Sequence, residues 1–91
     1  MPVTAEQIDD AVTVARRYGA SRVVLFGRAL TDPEQARDLD LAVGGVSGWT
    51  FFEMAADMES TLRIPLDVIP LDKESPLIRR IEEKGRVLYE S

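Results

Sequence analysis

Two aspartates, Asp38 and Asp40, stand on either side of a single leucine in the segment Asp38-Leu39-Asp40. Alternate side chains of an extended chain lie on one face, so these carboxylates would project together. Two carboxylates held so close repel each other unless a proton or a cation lies between them. Mg²⁺ suits such a pair, because it takes one or two carboxylates from a protein and completes its shell with water and substrate phosphates. The pair therefore predicts a magnesium site that a nucleotide completes.

A third aspartate, Asp67, lies in a short apolar segment that follows a predicted helix. A strand that returns after a crossover helix can lie next to the strand that carries the first pair. Phosphoryl and nucleotidyl transfer need charge neutralisation by divalent cations and a group that accepts the proton of the attacking hydroxyl. We expect Asp38 and Asp40 to hold two Mg²⁺ ions, and Asp67 to help hold the second ion and to receive or orient that proton.

The turn after the first predicted strand offers a place for phosphate. Gly27 lets the backbone approach an anion closely, and the amides that follow can point at it. Arg28 adds a positive charge beside this turn. Each feature alone also has a plain structural interpretation: a half-exposed strand alternates in the same way, and many tight turns contain glycine. The joint order of strand, glycine turn, acid pair, helix and third acid favours a site.

The composition limits the chemistry further. The chain has 91 residues, no cysteine, no histidine, 11 basic and 16 acidic side chains and a net charge of −5. One domain, residues 1–91, is the natural interpretation at this length, and any chemistry must depend on carboxylates, Arg, Lys or hydroxyls. The acidic balance argues against free nucleic acid as a partner. Because the sequence lacks a signal-like start and an apolar run of about 20 residues, we expect a cytoplasmic protein and no membrane partner.

The elements that must position these residues can be predicted from periodicity and capping signals. Thr4 and Gln7 have the spacing of a capping box, and Pro76 after Ser75 is typical of a helix start. Two prolines enclose the segment with Asp67, which suits an edge strand or a strand whose ends lack ladder partners. In chain order, we predict a helix from residue 4, a strand at 22–26, one helical turn from Pro33, a strand at 38–43, a helix at 49–63, a strand at 65–70, a helix from 76 and a strand at 86–89.

This order predicts an α/β fold of the α+β type, a small mixed β-sheet flanked by helices. The remaining charged side chains of the helices are expected on solvent-exposed faces with no chemical role. They include Asp9, Asp10, Glu82, Glu83 and Lys84.

Three segments of the chain resemble the minimal nucleotidyltransferases of the DNA polymerase beta superfamily, the MNT-type antitoxin-like domains. The resemblance implies a nucleotidyltransferase-like fold, with Gly27 as the glycine of the nucleotide-gripping turn, Asp38 and Asp40 as metal ligands and Asp67 as the third acid. The end of the chain is also similar to the usual end of these domains. The segments are Val24-Leu25-Phe26-Gly27, residues 38–43 and residues 66–69, and the similar end is residues 81–89.

One part of the family's pattern differs here. The family has a Gly-Ser turn followed by an arginine and usually a further glycine, whereas this chain has Gly27-Arg28-Ala29-Leu30-Thr31. Either Arg28 replaces the serine, or one residue has been deleted and Arg28 matches the family's arginine. Both alternatives remove a hydroxyl that would bond to phosphate.

The resemblance also implies a function and partners. Minimal members of the family often pair with a small helical HEPN-domain protein as antitoxin and toxin, and some resemble enzymes that attach AMP to a tyrosine of that partner. The implied activity is Mg²⁺-dependent transfer of AMP from ATP to a hydroxyl of a partner protein. Two alternatives stay open: an inactive module of the same fold that neutralises a toxin by contact, and a small structural or homo-oligomeric domain with no ligand.

Overall fold

The computed structural model describes residues 2–91 and divides them into alternating helices and strands. The elements are α1 (Ala5–Arg17), β1 (Arg22–Phe26), α2 (Arg28–Thr31), β2 (Leu39–Gly44), α3 (Gly48–Leu62), β3 (Leu66–Pro70), α4 (Pro76–Lys84) and β4 (Arg86–Glu90).

The strands form one mixed sheet in the spatial order β3-β2-β1-β4. Strand β1 is antiparallel to both β2 and β4, whereas β2 is parallel to β3. Helix α3 connects the two parallel strands, since parallel neighbours need a crossover. Strand β3 lies at an edge, where the missing N–H of Pro70 is tolerated. The predicted fold class, a small mixed sheet flanked by helices, is confirmed, and so is the edge position of this strand.

One face of the sheet carries the larger core. Leu39, Leu41 and Val43 of β2 are fully buried there, in one apolar cluster with Met58 of α3. Burying a side chain of this size contributes about 1.5–3 kcal/mol, so this face dictates which way β2 is turned. Because side chains alternate along a strand, Asp40 must lie on the opposite face.

The opposite face carries a smaller core, covered by α4. Val24 and Ala42 of the sheet form a second buried cluster with Ile78 and Ile81 of that helix. Asp40 lies two residues before Ala42 on this face and is half-buried. The acidic position therefore lies beside the part of the sheet that α4 covers.

The helix ends follow the capping signals of the sequence. The side chain of Thr4 accepts a hydrogen bond from the N–H of Gln7, and the side chain of Gln7 accepts one from the N–H of Thr4. Ser75 caps α4 by accepting a hydrogen bond from the N–H of Ile78, at 3.1 Å. Both predicted helix starts are confirmed. Among residues 2–91, no helix has both the length and the apolar character needed to cross a bilayer.

Two sequence predictions near the site need correction. One helical turn is predicted from Pro33, and the structure has a hydrogen-bonded turn there, in which the N–H of Gln35 donates to the carbonyl of Asp32 at 3.1 Å. The helix of this region, α2, lies earlier and begins directly after Gly27. The carbonyl of Gly27 accepts hydrogen bonds from the N–H groups of Leu30 and Thr31, both at 3.1 Å, and so starts the helix. In addition, β2 begins one residue later than predicted, so Asp38 lies just before the strand.

Replacing Ser75 with alanine should lower the free energy of unfolding by about 1 kcal/mol, because the N–H of Ile78 loses its acceptor. Urea denaturation measures the change. Ser47 is a matched control, since it occupies the same position of α3 but its side chain makes no cap hydrogen bond. The prediction is wrong if Ser47→Ala and Ser75→Ala lower stability equally.

Candidate active site

The pairing of β2 with β3 brings two of the predicted acids together. Asp40 and Asp67 are direct partners in the parallel register of these strands. Neighbouring strands lie about 4.8 Å apart and paired residues present their side chains to one face, so the two carboxylates are adjacent. Asp38 lies just before β2, and its side chain and that of Asp67 are exposed. The structure thus places Asp40 and Asp67 side by side, and it places Asp38 close enough for its charge to raise the pKa of Asp40.

The electrostatics of this group centre on Asp40. Burial raises the pKa of Asp40 above its ordinary value, and the negative charges of Asp67 and Asp38 raise this pKa further. No ion pair within residues 2–91 includes any of these three acids, because the arginines that form ion pairs contact Asp57, Glu74, Glu82 and Glu90. The result is a concentration of negative charge with no cationic side chain bound to it.

The predicted phosphate turn touches this acidic group. Gly27 follows Phe26, and Phe26 is paired with Asp40 across the antiparallel β1–β2 ladder. Gly27 has φ 73° and ψ −154°, a conformation that is essentially restricted to glycine. A Cβ at Gly27 would overlap the carboxylate of Asp40 and would lie 2.9 Å from its Cγ atom. Glycine is therefore required here both by the backbone and by the neighbouring acid.

Arg28 and Thr31 complete the turn. Arg28 begins α2, is exposed and forms no ion pair with an acid of residues 2–91. The hydroxyl of Thr31 donates a hydrogen bond to the carbonyl of Gly27, at 3.3 Å. A hydroxyl group thus lies at the turn, four residues after the glycine instead of next to it.

The donor set fits a hard divalent cation. Mg²⁺ prefers oxygen ligands, and no cationic side chain of residues 2–91 forms an ion pair with Asp38, Asp40 or Asp67. Within residues 2–91, however, no three acidic side chains form a ready-made metal-binding group. An ion at Asp40 would therefore need further ligands from water or from a bound phosphate, as is usual for Mg²⁺.

The sequence did not indicate a cavity that adjoins the turn. This cavity, of about 390 Å³, lies between α2 and α4, and Gly27 is part of its wall. Arg80 and Lys84 of α4 also line it, and Lys84 is exposed, as expected from the sequence. Their spacing of four residues places both on one side of the helix. This spacing is the one feature of the sequence that could have indicated a shared position for the two side chains.

Comparisons with known proteins bear on the fold of the chain. No protein-family model and no curated protein matches the chain. Among solved structures, the toxin–antitoxin complex MntA-HepT matches with a TM-score of 0.73 and 18% identity, over 97% of this chain and 74% of the matched chain. The chain has an MNT-type nucleotidyltransferase fold.

Two further structures share the MNT-type fold. A toxin–antitoxin structure with AMP-PNP matches with a TM-score of 0.72 and 21% identity, over 91% of this chain and 73% of the other. The complex of a tri-AMPylated HEPN toxin from Shewanella oneidensis with its MNT antitoxin matches with a TM-score of 0.68 and 19% identity, over 93% and 73% of the two chains. The fold thus belongs to proteins solved with a nucleotide analogue and with a HEPN toxin.

The raised pKa of Asp40 predicts how stability depends on pH in the absence of metal. The folded state holds the carboxyl proton of Asp40 more tightly than the unfolded state does. The free energy of unfolding should therefore fall as the pH rises from the ordinary pKa of aspartate through the raised pKa of Asp40 in the folded protein. Asp40→Asn should remove this fall and be more stable than the wild type at neutral pH. Urea denaturation in EDTA at a series of pH values measures it.

Asp10→Asn, on the exposed face of α1, is the control for that experiment. It removes one negative charge far from the site and should keep the pH profile of the wild type. Identical pH profiles for the wild type and Asp40→Asn would contradict the electrostatic description of the site.

The contact between Gly27 and Asp40 predicts a coupling between two substitutions. Gly27→Ala should destabilise the protein by about 1–3 kcal/mol through backbone strain, with a further cost from the overlap with Asp40. In an Asp40→Ala background the overlap with the carboxylate disappears and only the Cβ of residue 40 remains close, at 3.1 Å, so the cost of Gly27→Ala should be smaller. Gly19, with φ 88° and open space around it, is the control, and Gly19→Ala should show no coupling to Asp40. A double-mutant cycle in urea measures both couplings, and equal couplings would contradict the contact.

Proposed function

We propose that this chain is a Mg²⁺-dependent nucleotidyltransferase that transfers AMP from ATP to a hydroxyl of a partner protein, as the antitoxin of a toxin–antitoxin pair. The partner would be a small helical protein of the HEPN type. The observation that carries this proposal is the contact of Gly27 with Asp40, beside Asp67. It supports the proposal because it places the turn that would bind phosphate against the acid that would bind the metal ion.

The structural neighbours support the same function. One was solved with AMP-PNP, a nucleotide analogue, and another contains an AMPylated HEPN toxin bound to its MNT antitoxin. This chain covers about three quarters of each of those chains, 73% in both cases. The acceptor would be supplied by the partner, because a domain of this size has little surface from which to build a separate acceptor site.

Each site residue would have a distinct role in the transfer. Asp38 and Asp40 would hold Mg²⁺, which when bound supplies charge neutralisation and polarises the phosphate. Gly27 would let the phosphates pass close to Asp40, and Arg28 would add positive charge beside them. Asp67 would accept or orient the proton of the attacking hydroxyl. The hydroxyl oxygen then bonds to the α-phosphorus as the bond to the leaving pyrophosphate breaks.

A second candidate function is neutralisation of a toxin by contact alone. The turn lacks the serine hydroxyl of the family's pattern, because Arg28 follows Gly27 directly. In addition, α3 presents two aromatic side chains to solvent, Trp49 at 82% and Phe52 at 66% exposure. Their ring centroids lie 6.0 Å apart, so they form one apolar patch. Such a patch is typical of protein–protein contact surfaces and requires no catalysis.

Titration with ATP and Mg²⁺ separates the two candidates. The wild type should bind ATP more tightly when Mg²⁺ is present, and the double variant Asp38→Asn/Asp40→Asn should lose this metal-dependent gain by at least about tenfold, which corresponds to 1.4 kcal/mol. Asp9→Asn/Asp10→Asn is the control, since it removes the same charge from an exposed face of α1. Calorimetry measures the affinities.

Transfer itself is tested with a purified HEPN-type partner. Incubation with ATP and Mg²⁺ should add AMP to the partner, as detected by mass spectrometry, and the Asp38→Asn/Asp40→Asn variant should add none. If the wild type and this variant protect against the toxin equally and neither modifies it, contact alone is the function.

A further inference from the structure

The cavity between α2 and α4 has the size and the lining of a small-molecule site. Its volume of about 390 Å³ lies within the range of about 300–1,000 Å³ usual for such sites. Apolar side chains form much of its wall, and they come from both helices and from the end of β1. These side chains are Phe26, Leu30, Leu77 and Ile81.

Two cations stand in the same wall. Arg80 and Lys84 line the cavity, and neither forms an ion pair with an acid among residues 2–91. The chain as a whole has a net charge of −5, whereas the side chains that line this cavity include two cations and no acid. They favour an anionic ligand, since both can donate charge-assisted hydrogen bonds.

The cavity also reaches the acidic group. Gly27 forms part of its wall and at the same time touches the carboxylate of Asp40. Only Gly27 would therefore separate a ligand in the cavity from the carboxylate of Asp40. An anion there would meet the repulsion of those carboxylates, which the charges of Arg80 and Lys84 oppose.

A second cavity of the same volume serves as a comparison. It lies at the start of α3 and is lined by Phe51 and Phe52 together with Asp72 and Lys73. Its acid and its base balance each other, and neither Gly27 nor a site acid lines it. The combination of apolar walls, excess positive charge and contact with the acidic group occurs at the α2–α4 cavity.

We propose that the α2–α4 cavity binds the nucleotide, with its apolar walls against the base and with Arg80 and Lys84 paired to its phosphates. This inference rests on the proposed function and assigns α4 to the substrate site. An apolar wall suits the flat face of a base, which buries apolar surface without needing specific hydrogen bonds. The two cations suit a polyphosphate, which carries several negative charges at neutral pH.

Two variants separate the two parts of the proposal. Arg80→Gln/Lys84→Gln should weaken binding of both ATP and inorganic triphosphate by about tenfold to a hundredfold, because two charge-assisted contacts are lost. Leu77→Gln should weaken ATP by about threefold to tenfold and leave inorganic triphosphate unchanged, because Leu77 would contact only the base. Leu77 is already 55% exposed, so this change should leave the fold intact. Calorimetry with Mg²⁺ at constant ionic strength measures each affinity.

Charge-matched controls exclude a general electrostatic effect. Arg63→Gln/Arg79→Gln removes the same charge from exposed positions outside the cavity and should bind ATP as the wild type does. Arg80→Lys/Lys84→Arg keeps both charges and should keep most of the affinity. If Arg80→Gln/Lys84→Gln binds ATP as tightly as the control pair, the cavity proposal is wrong while the proposed function stands. If the wild type binds no ATP with Mg²⁺, both proposals are wrong.

Discussion

The parallel register that places the carboxylates of Asp40 and Asp67 side by side, where they repel each other, is the constraint on which the candidate site depends. The parallel register of β2 and β3 makes these residues partners. Because Asp40 lies between Asp67 and Gly27, its carboxylate has little room to move away from that of Asp67. A sheet built only for stability would not place two acids side by side without a cationic partner. Under the proposed function, a bound cation and a phosphate group would relieve this repulsion.

The larger core fixes this arrangement from the opposite side of the sheet. Leu39 and Leu41 can be buried under α1 and α3 only if Asp40 turns the other way. A shift of one residue in the pairing of β2 would expose both leucines and bury the carboxylate, so the register is held by apolar packing. The acidic group is thus positioned by residues that have no part in its chemistry.

Much of this fold follows from local signals in the sequence. The capping box at Thr4 and Gln7, the cap at Ser75 and the alternation around Asp40 each depend on neighbouring residues, so they can be predicted without a tertiary structure. The short helix after Gly27 was placed too late in the sequence. Pro33 is a strong local signal for a helix start. In the structure, however, the helix begins after Gly27, whose carbonyl accepts hydrogen bonds from the N–H groups of Leu30 and Thr31.

The contacts that make the site depend on residues that are distant along the chain. Gly27, which follows β1, contacts Asp40 of the neighbouring strand β2. Arg80 and Lys84 of the last helix line the cavity that Gly27 also lines. No periodicity connects these positions, so the sequence predicted the acids and the turn separately but not the cavity between α2 and α4. The resemblance to the minimal nucleotidyltransferases joined the acids to the turn, and it gave no role to the last helix.

Gly85 has a consequence for how a ligand could enter. It is the single residue between α4 and β4, and a Cβ there would lie 2.5 Å from both the carbonyl oxygen of Ile81 and the side chain of Val24. The helix is therefore seated directly on the sheet and joined to a paired strand without any slack. Close packing at this end of α4 leaves the helix little room to move away from the sheet, so a ligand of the α2–α4 cavity would have to match the opening that this packing leaves.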